Sequence, residues 1–186
     1  MEPTLDPDTI MTLEAFADTI VPGNKRFPED HAIAGVSEDG GAVAAGALEL
    51  LQSPAGGLAQ WLPGLAQLLN GFARIVVQQK GIRAEAGTPP FVLLNYQDRA
   101  ALILRLTALD NSERQGWVNL AMFSNMAFDS AAHLHTTDAL AAGHPGLLTM
   151  GFAPPDPDGL WRFPSYSYGR ALAASHPGTT ATGNPA

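Results

Sequence analysis

Histidines and an aspartate cluster in the last third of the chain, as His133, His135, Asp138 and His144. Imidazole nitrogens and carboxylates bind transition metals, and a histidine can also act as a general base. Two histidines two positions apart converge in a strand or loop, but they point apart on a helix. Because the pair follows a predicted helix, the pattern favours histidines at a helix end, near the negative pole of its dipole. The sequence therefore predicts no metal site. An independent helical enzyme or metal protein using His133 and His135 is the alternative.

Other catalytic signatures are missing from the sequence. The 186 residues include no cysteine, which excludes thiolate nucleophiles, iron–sulfur ligation and cysteine-based zinc sites. No serine lies in a Gly-x-Ser-x-Gly elbow, and no glycine-rich phosphate or dinucleotide loop is present. Asp156 and Asp158 alternate with Pro157 and Gly159, which is typical of turn caps. We expect no catalytic and no cofactor-binding residue in this chain.

A segment rich in proline, glycine and aromatic residues follows the histidines. Residues 143–170 contain five prolines and five glycines, and their aromatic residues show no helical period. Trp, Tyr and Arg are enriched in the cores of protein interfaces. The candidate partner-interface residues are Trp161, Arg162, Phe163, Tyr166, Tyr168 and Arg170. The alternative is that these aromatic side chains only close the protein's own helix bundle.

Helical periodicity dominates the rest of the chain, and sustained two-residue alternation is absent. The sequence predicts an all-α, single-domain bundle of about five helices over residues 1–172, with a Pro/Gly/aromatic-rich C-terminal wrap. Residues 173–186 are small and polar and predict a flexible tail.

Cap signals mark three of the helix starts. Asp8 is predicted to cap a first helix over residues 9–21, which ends at Pro22. Asn95, with Asp98 three residues later, is predicted to cap a helix whose apolar side carries Leu102, Leu104, Leu106 and Leu109. Ser112 and Gln115 have the spacing of a capping box for the next helix.

Residues 50–73 are uncharged and long enough to resemble a membrane span. They contain two prolines, four glycines and five polar residues, which indicates an amphipathic helix that restarts at Pro63. Gln60 and Gln67 mark its polar side, and the opposite, core-facing side is predicted to hold Trp61, Leu65, Leu68 and Phe72.

The charge of the chain disfavours nucleic-acid binding. The net charge is −8, and no basic cluster exceeds the pair Lys25 and Arg26. Residues 1–49 carry ten acidic and two basic residues, whereas the remainder sums to zero. The first 21 residues contain no Lys or Arg and no twin-arginine pair, so we expect a cytoplasmic location.

Two segments carry a resemblance to a known family. Residues 12–23, TLEAFADTIVPG, are similar to the opening helix of the gluconate 2-dehydrogenase subunit 3 family. Residues 150–170, MGFAPPDPDGLWRFPSYSYGR, resemble the C-terminal signature of a soluble branch of that family. The helix with Arg99 and Leu102 and the one that begins near Trp117 fit the same order.

The resemblance implies a small, cofactor-free subunit that accompanies a large flavoprotein of the glucose–methanol–choline class. FAD is then expected in the partner, which oxidises an alcohol or sugar hydroxyl, while the small chain aids its folding, flavin loading or stability. The family's members often carry a twin-arginine signal, which this sequence lacks. A free-standing helical protein that binds a small ligand between the helices of Trp61 and Trp117 is a further alternative.

Overall fold

The structure is a computed structural model that describes residues 5–154 and 177–178. The chain divides into two units, Met1–Phe152 and Ala153–Ala186, and the fold described below is that of the first. Within the described residues it contains seven α-helices and no strand, which confirms the all-α prediction. In chain order they are α1 (Pro7–Ile20), α2 (Ala47–Gln52), α3 (Leu62–Lys80), α4 (Tyr96–Leu106), α5 (Arg114–Ser130), α6 (Thr136–Ala141) and α7 (Pro145–Thr149).

The helix count differs from the predicted five because of α6 and α7. These helices have six and five residues, which is too short for a 3.6-residue period to show in the sequence. The boundary at residue 172 and the predicted tail lie outside the described residues. No helix in the described part of the chain is long and apolar enough to cross a membrane.

Helix α1 occupies the centre of the bundle. It packs against α2, α3, α4 and α5, and eight of its fourteen residues are buried. Its N-cap is Asp6, not the predicted Asp8; the Asp6 carboxylate accepts from the backbone N–H of Thr9 at 2.9 Å. Pro7 explains the shift, because a proline suits the first turn of a helix and leaves the preceding residue as the cap.

The predicted cap of α4 is confirmed, and that of α5 is wrong. The Asn95 side chain accepts from the backbone N–H of Asp98 at 3.0 Å. Helix α5 has Glu113 at its N-cap and no side-chain cap. The Asn111 side chain instead accepts from the Glu113 N–H and donates to the Leu106 carbonyl, so it organises this turn.

Helix α3 has Pro63 in its first turn, as predicted. Of its four predicted core residues, Leu65 and Phe72 are partly buried against the core, but the centre of the buried face is rotated away from the predicted one. The buried residues are Leu62, Ala66, Leu69, Ala73 and Val77. Trp61 and Leu68 were expected in the core and are 62% and 51% exposed. On α4, Leu102 and Leu106 are buried as expected, whereas Leu104 is 71% exposed and Leu109, beyond the helix, is also exposed.

Candidate functional site

The predicted interface residues all lie in residues 155–176, outside the part of the chain that the structure describes. They are Trp161, Arg162, Phe163, Tyr166, Tyr168 and Arg170. Asp156 and Asp158 lie there too. The interface prediction therefore stays a prediction.

His144 caps a helix and is buried. Its Nδ1 accepts from the backbone N–H of Leu147 at 3.2 Å, at the start of α7. Its Nε2 lies 3.1 Å from the Ala45 carbonyl, which it can satisfy only by donating. Together the two contacts require the neutral imidazole with its proton on Nε2. His144 thus ties α7 to the turn that precedes α2.

His133 lies beside His144, with ring centroids 6.5 Å apart, and packs closely on Gly46. Its Nδ1 is buried and has no hydrogen-bond partner. Burial lowers the pKa of His133; Glu49 opposes this and His144 adds to it. His135 is instead exposed, and its Nδ1 lies 2.7 Å from the Thr137 hydroxyl. The structure separates His133 from His135 and brings it to His144.

The described residues hold no group of three or more His, Asp or Glu side chains that could bind a metal ion. The serines of α5 are also engaged by their own helix. The Ser124 hydroxyl donates to the Leu120 carbonyl, and the Ser130 hydroxyl donates to that of Met126.

A buried polar cluster that the sequence reasoning did not single out lies next to α1. The carboxylate of Asp18 accepts from the backbone N–H groups of Gly23 at 3.0 Å and Ala34 at 2.8 Å. Burial raises the pKa of Asp18, and these hydrogen bonds and the charge of Arg99 offset part of the effect. Asp18 therefore holds together the turn after α1 and the loop at residue 34.

Arg99 is the cationic member of this cluster and is 3% exposed. Its guanidinium donates to four backbone carbonyls, those of His31, Ala32, Val92 and Leu94, at 2.6–2.9 Å. Burial lowers its pKa, which Asp18 and Asp30 oppose. Because an arginine stays charged in proteins, it acts here as a fixed fork that joins two loops.

A group of ion pairs centred on Arg26 joins α1 to the loop that follows it. Arg26 bonds to the carboxylates of Glu14 at 2.6 Å and Asp30 at 2.7 Å. Burial by itself would raise the pKa of Asp30, but the hydrogen bond and charge of Arg26 outweigh it and hold that pKa below its usual value. This group fixes the loop after α1 and offers no free base or nucleophile.

A surface cleft of about 450 Å³ lies between this loop and the start of α4. Its polar lining includes Lys25, His31, Asn95 and Gln97, and its wall includes Arg99. The Arg99 guanidinium donates to backbone carbonyls, so it is not available to pair with a catalytic group in this cleft. The lining fits a structural junction better than an active site.

The most distinctive surface feature is a line of apolar side chains on α3, which we call the α3 stripe. It consists of Trp61, just before the helix, with Leu68 and Ile75. These side chains are 62%, 51% and 53% exposed. Phe72, on the same side, turns inward, and its ring meets that of buried Trp117 edge-on at 6.3 Å. Trp61 thus faces solvent while Trp117 belongs to the core.

The fold and this surface define an all-α protein whose buried charges hold its loops and which carries three exposed apolar residues in a line along α3. The chain belongs to the family described as "Family of unknown function (DUF5987)", which matches residues 7–186. No curated protein and no solved structure matches it at the threshold of significance.

Proposed function

We propose that this chain is a non-catalytic accessory subunit that binds and stabilises, or matures, an FAD-dependent oxidoreductase acting on an alcohol or sugar. The partner is a large flavoprotein of the glucose–methanol–choline class, and it holds the FAD. The complex is proposed to be cytoplasmic. The chain itself contributes binding surface and no reacting group.

The α3 stripe is the observation that carries the proposal. Scattered single apolar residues are normal on a protein surface, but a row of large apolar side chains on one helix marks an interaction site. Trp61, Leu68 and Ile75 are each more than half exposed, and the chain's own core already uses the neighbouring face of α3. A protein partner would remove this apolar surface from water.

Three of the buried polar groups also support a binding role over a catalytic one. The side chains of Asp18 and Arg99 form their hydrogen bonds with backbone groups, and His144 caps α7. A general base needs a free lone pair aimed at a substrate. The hydrogen bonds of Asp18, Arg99 and His144 stabilise the fold instead.

The flavoprotein in the proposal comes from the resemblance of residues 12–23 and 150–170 to the gluconate 2-dehydrogenase subunit 3 family. Within the first of these segments, Asp18 and Gly23 are joined by the hydrogen bond that closes the turn after α1. Two residues of the resembling segment, Asp18 and Gly23, therefore have a structural role.

Co-expression tests the proposal. The flavoprotein encoded next to this chain is produced with and without it, and solubility, bound flavin absorbance and co-purification are measured. We expect a yellow, stable complex only when both chains are made. A flavoprotein that is soluble, FAD-loaded and active alone, and that does not bind the chain, would contradict the proposal. Fractionation of the source cells tests the cytoplasmic location.

A further inference from the structure

We propose that the α3 stripe binds an amphipathic helix of the partner protein, whose apolar residues recur every seven positions and whose flanking residues are acidic. The inference deepens the accessory function proposed above and rests on it. It is carried by the spacing of the stripe, by the glycines beside it and by the charge of this part of the chain.

The spacing of the stripe is that of one of the two repeating positions in a helix–helix seam. Trp61, Leu68 and Ile75 are separated by seven residues each, so they form one line about 21 Å long. Positions seven apart drift by only about 20° per heptad around a helix, and a partner helix with the same repeat follows that line by a slight supercoil. A heptad ridge of the partner therefore fits the stripe along its length.

Two glycines lie beside the stripe and repeat with the same period. A Cβ added to Gly64 or Gly71 would meet no atom within 4 Å. A glycine inside a helix costs up to about 1 kcal/mol relative to alanine, and here the chain's own packing does not require either one. Their bare backbone allows a second helix to approach closely.

The charge of residues 50–84 indicates which charge the partner helix should carry. Residues 50–84 contain no Asp or Glu, although the whole chain has a net charge of −8. Their three cations are Arg74, Lys80 and Arg83; Lys80 bonds to Asp98 at 2.6 Å. In the described part of the chain Arg74 and Arg83 form no ion pair, although Arg74 lines a pocket with Asp6 and Asp8. Acidic residues flanking the partner's ridge complement these cations.

A second copy of the chain fits this surface less well. Self-association through α3 would bring the same cations to both sides of the interface and would join two chains of charge −8. No acidic residue of α3 is available to pair with them. The charges therefore favour a different, acidic helix.

Site-specific cross-linking tests the inference, and the absence of cysteine makes it simple. Leu68→Cys is labelled with a benzophenone maleimide and illuminated in a lysate of the source cells. The matched control is Leu104→Cys, at an exposed leucine on α4. The captured protein is identified, and the cross-linked peptide is sequenced by mass spectrometry.

We expect the Leu68→Cys probe to capture a peptide with apolar residues at heptad spacing and an excess of Asp and Glu. Adding Arg83→Glu should lower the yield roughly threefold at low salt, because it reverses one exposed charge pair. A peptide from a second copy, a basic or non-helical peptide, or no capture above the Leu104→Cys control would overturn the inference.

The captured protein separates this inference from the proposed function. An acidic helix on a flavoprotein supports both. An acidic helix on a protein without flavin supports the inference about the stripe and contradicts the flavoprotein partner. A flavoprotein that co-purifies with the chain while Leu68→Cys captures nothing supports the function and overturns the inference.

Discussion

Single buried residues in this protein join segments that are distant in sequence. Arg99 binds the carbonyls of His31 and Ala32, 68 and 67 positions away, and Asp18 reaches Ala34. Neither role is visible in the sequence, because the bonded partners are backbone atoms that carry no residue signature. Only the fold decides which carbonyls meet a given guanidinium. This is why the buried cluster was missed while the cap of Asn95, a local contact, was predicted.

Arg99→Lys should lower the free energy of unfolding by about 1–3 kcal/mol. An ammonium group lacks the planar fork that serves four carbonyls in two loops, so at least one buried carbonyl loses its donor. Urea denaturation measures the change. Arg105→Lys, at an exposed position on α4, is the control and should shift stability by less than about 0.5 kcal/mol. Equal effects of the two substitutions would refute the role given to Arg99.

The half-buried His133 predicts a loss of stability in acid. Burial lowers the pKa of His133 below its usual 6.5, so at mildly acidic pH the unfolded chain binds more protons than the folded one. The free energy of unfolding should therefore fall as the pH drops below about 6.5.

Unfolding curves at a series of pH values test this prediction. His133→Gln should flatten the decline in acid, whereas His135→Gln, at an exposed position, should leave it unchanged. Identical pH profiles for the wild type and His133→Gln would contradict the assignment.

At the scale of the helices, the sequence predicted that each long helix exists, but it did not predict which face of the helix is buried. Helix α3 shows why. The residues 61, 65, 68 and 72 and the residues 62, 66, 69 and 73 both repeat at spacings of three and four. Periodicity alone cannot rank two adjacent apolar stripes, and the first was chosen because it was taken to lie opposite Gln60 and Gln67. Packing against α1 buries the second, smaller set.

Two glycine substitutions should have opposite effects on stability. Gly71→Ala fills open space on α3 and should stabilise the chain by about 1 kcal/mol, because alanine favours the helix. Gly146→Ala should destabilise it, since the added Cβ would overlap the backbone of Phe128, on which α7 packs. Thermal unfolding measures both. A stable Gly146→Ala variant would show that α7 does not rest on α5 in this way.

At the scale of the whole molecule, most of the acidic charge and the α3 stripe belong to different parts of the sequence. Residues 1–49 carry a charge of −8, and several of their acids are engaged by Arg26 or by backbone groups. The α3 stripe lies in an acid-free part of the chain.

Trp161→Ala and Tyr166→Ala should each weaken binding of the flavoprotein by about tenfold or more, which is the effect of removing an aromatic anchor at an interface. Titration of the purified flavoprotein with each variant measures the change in Kd. The control is Phe152→Ala, at a half-exposed aromatic residue close to the segment. Unchanged affinity in both variants would show that this segment is not part of the interface.

The central position of α1 has a consequence for synthesis. The helix is translated first, yet the surfaces that bury it belong to α2, α3, α4 and α5, the last of which ends at Ser130. Its apolar residues, including Leu13 and Phe16, therefore stay uncovered while more than a hundred further residues are made. At roughly 5–20 residues per second, this interval lasts several seconds or more. Complete packing of α1 therefore waits until α5 has been made.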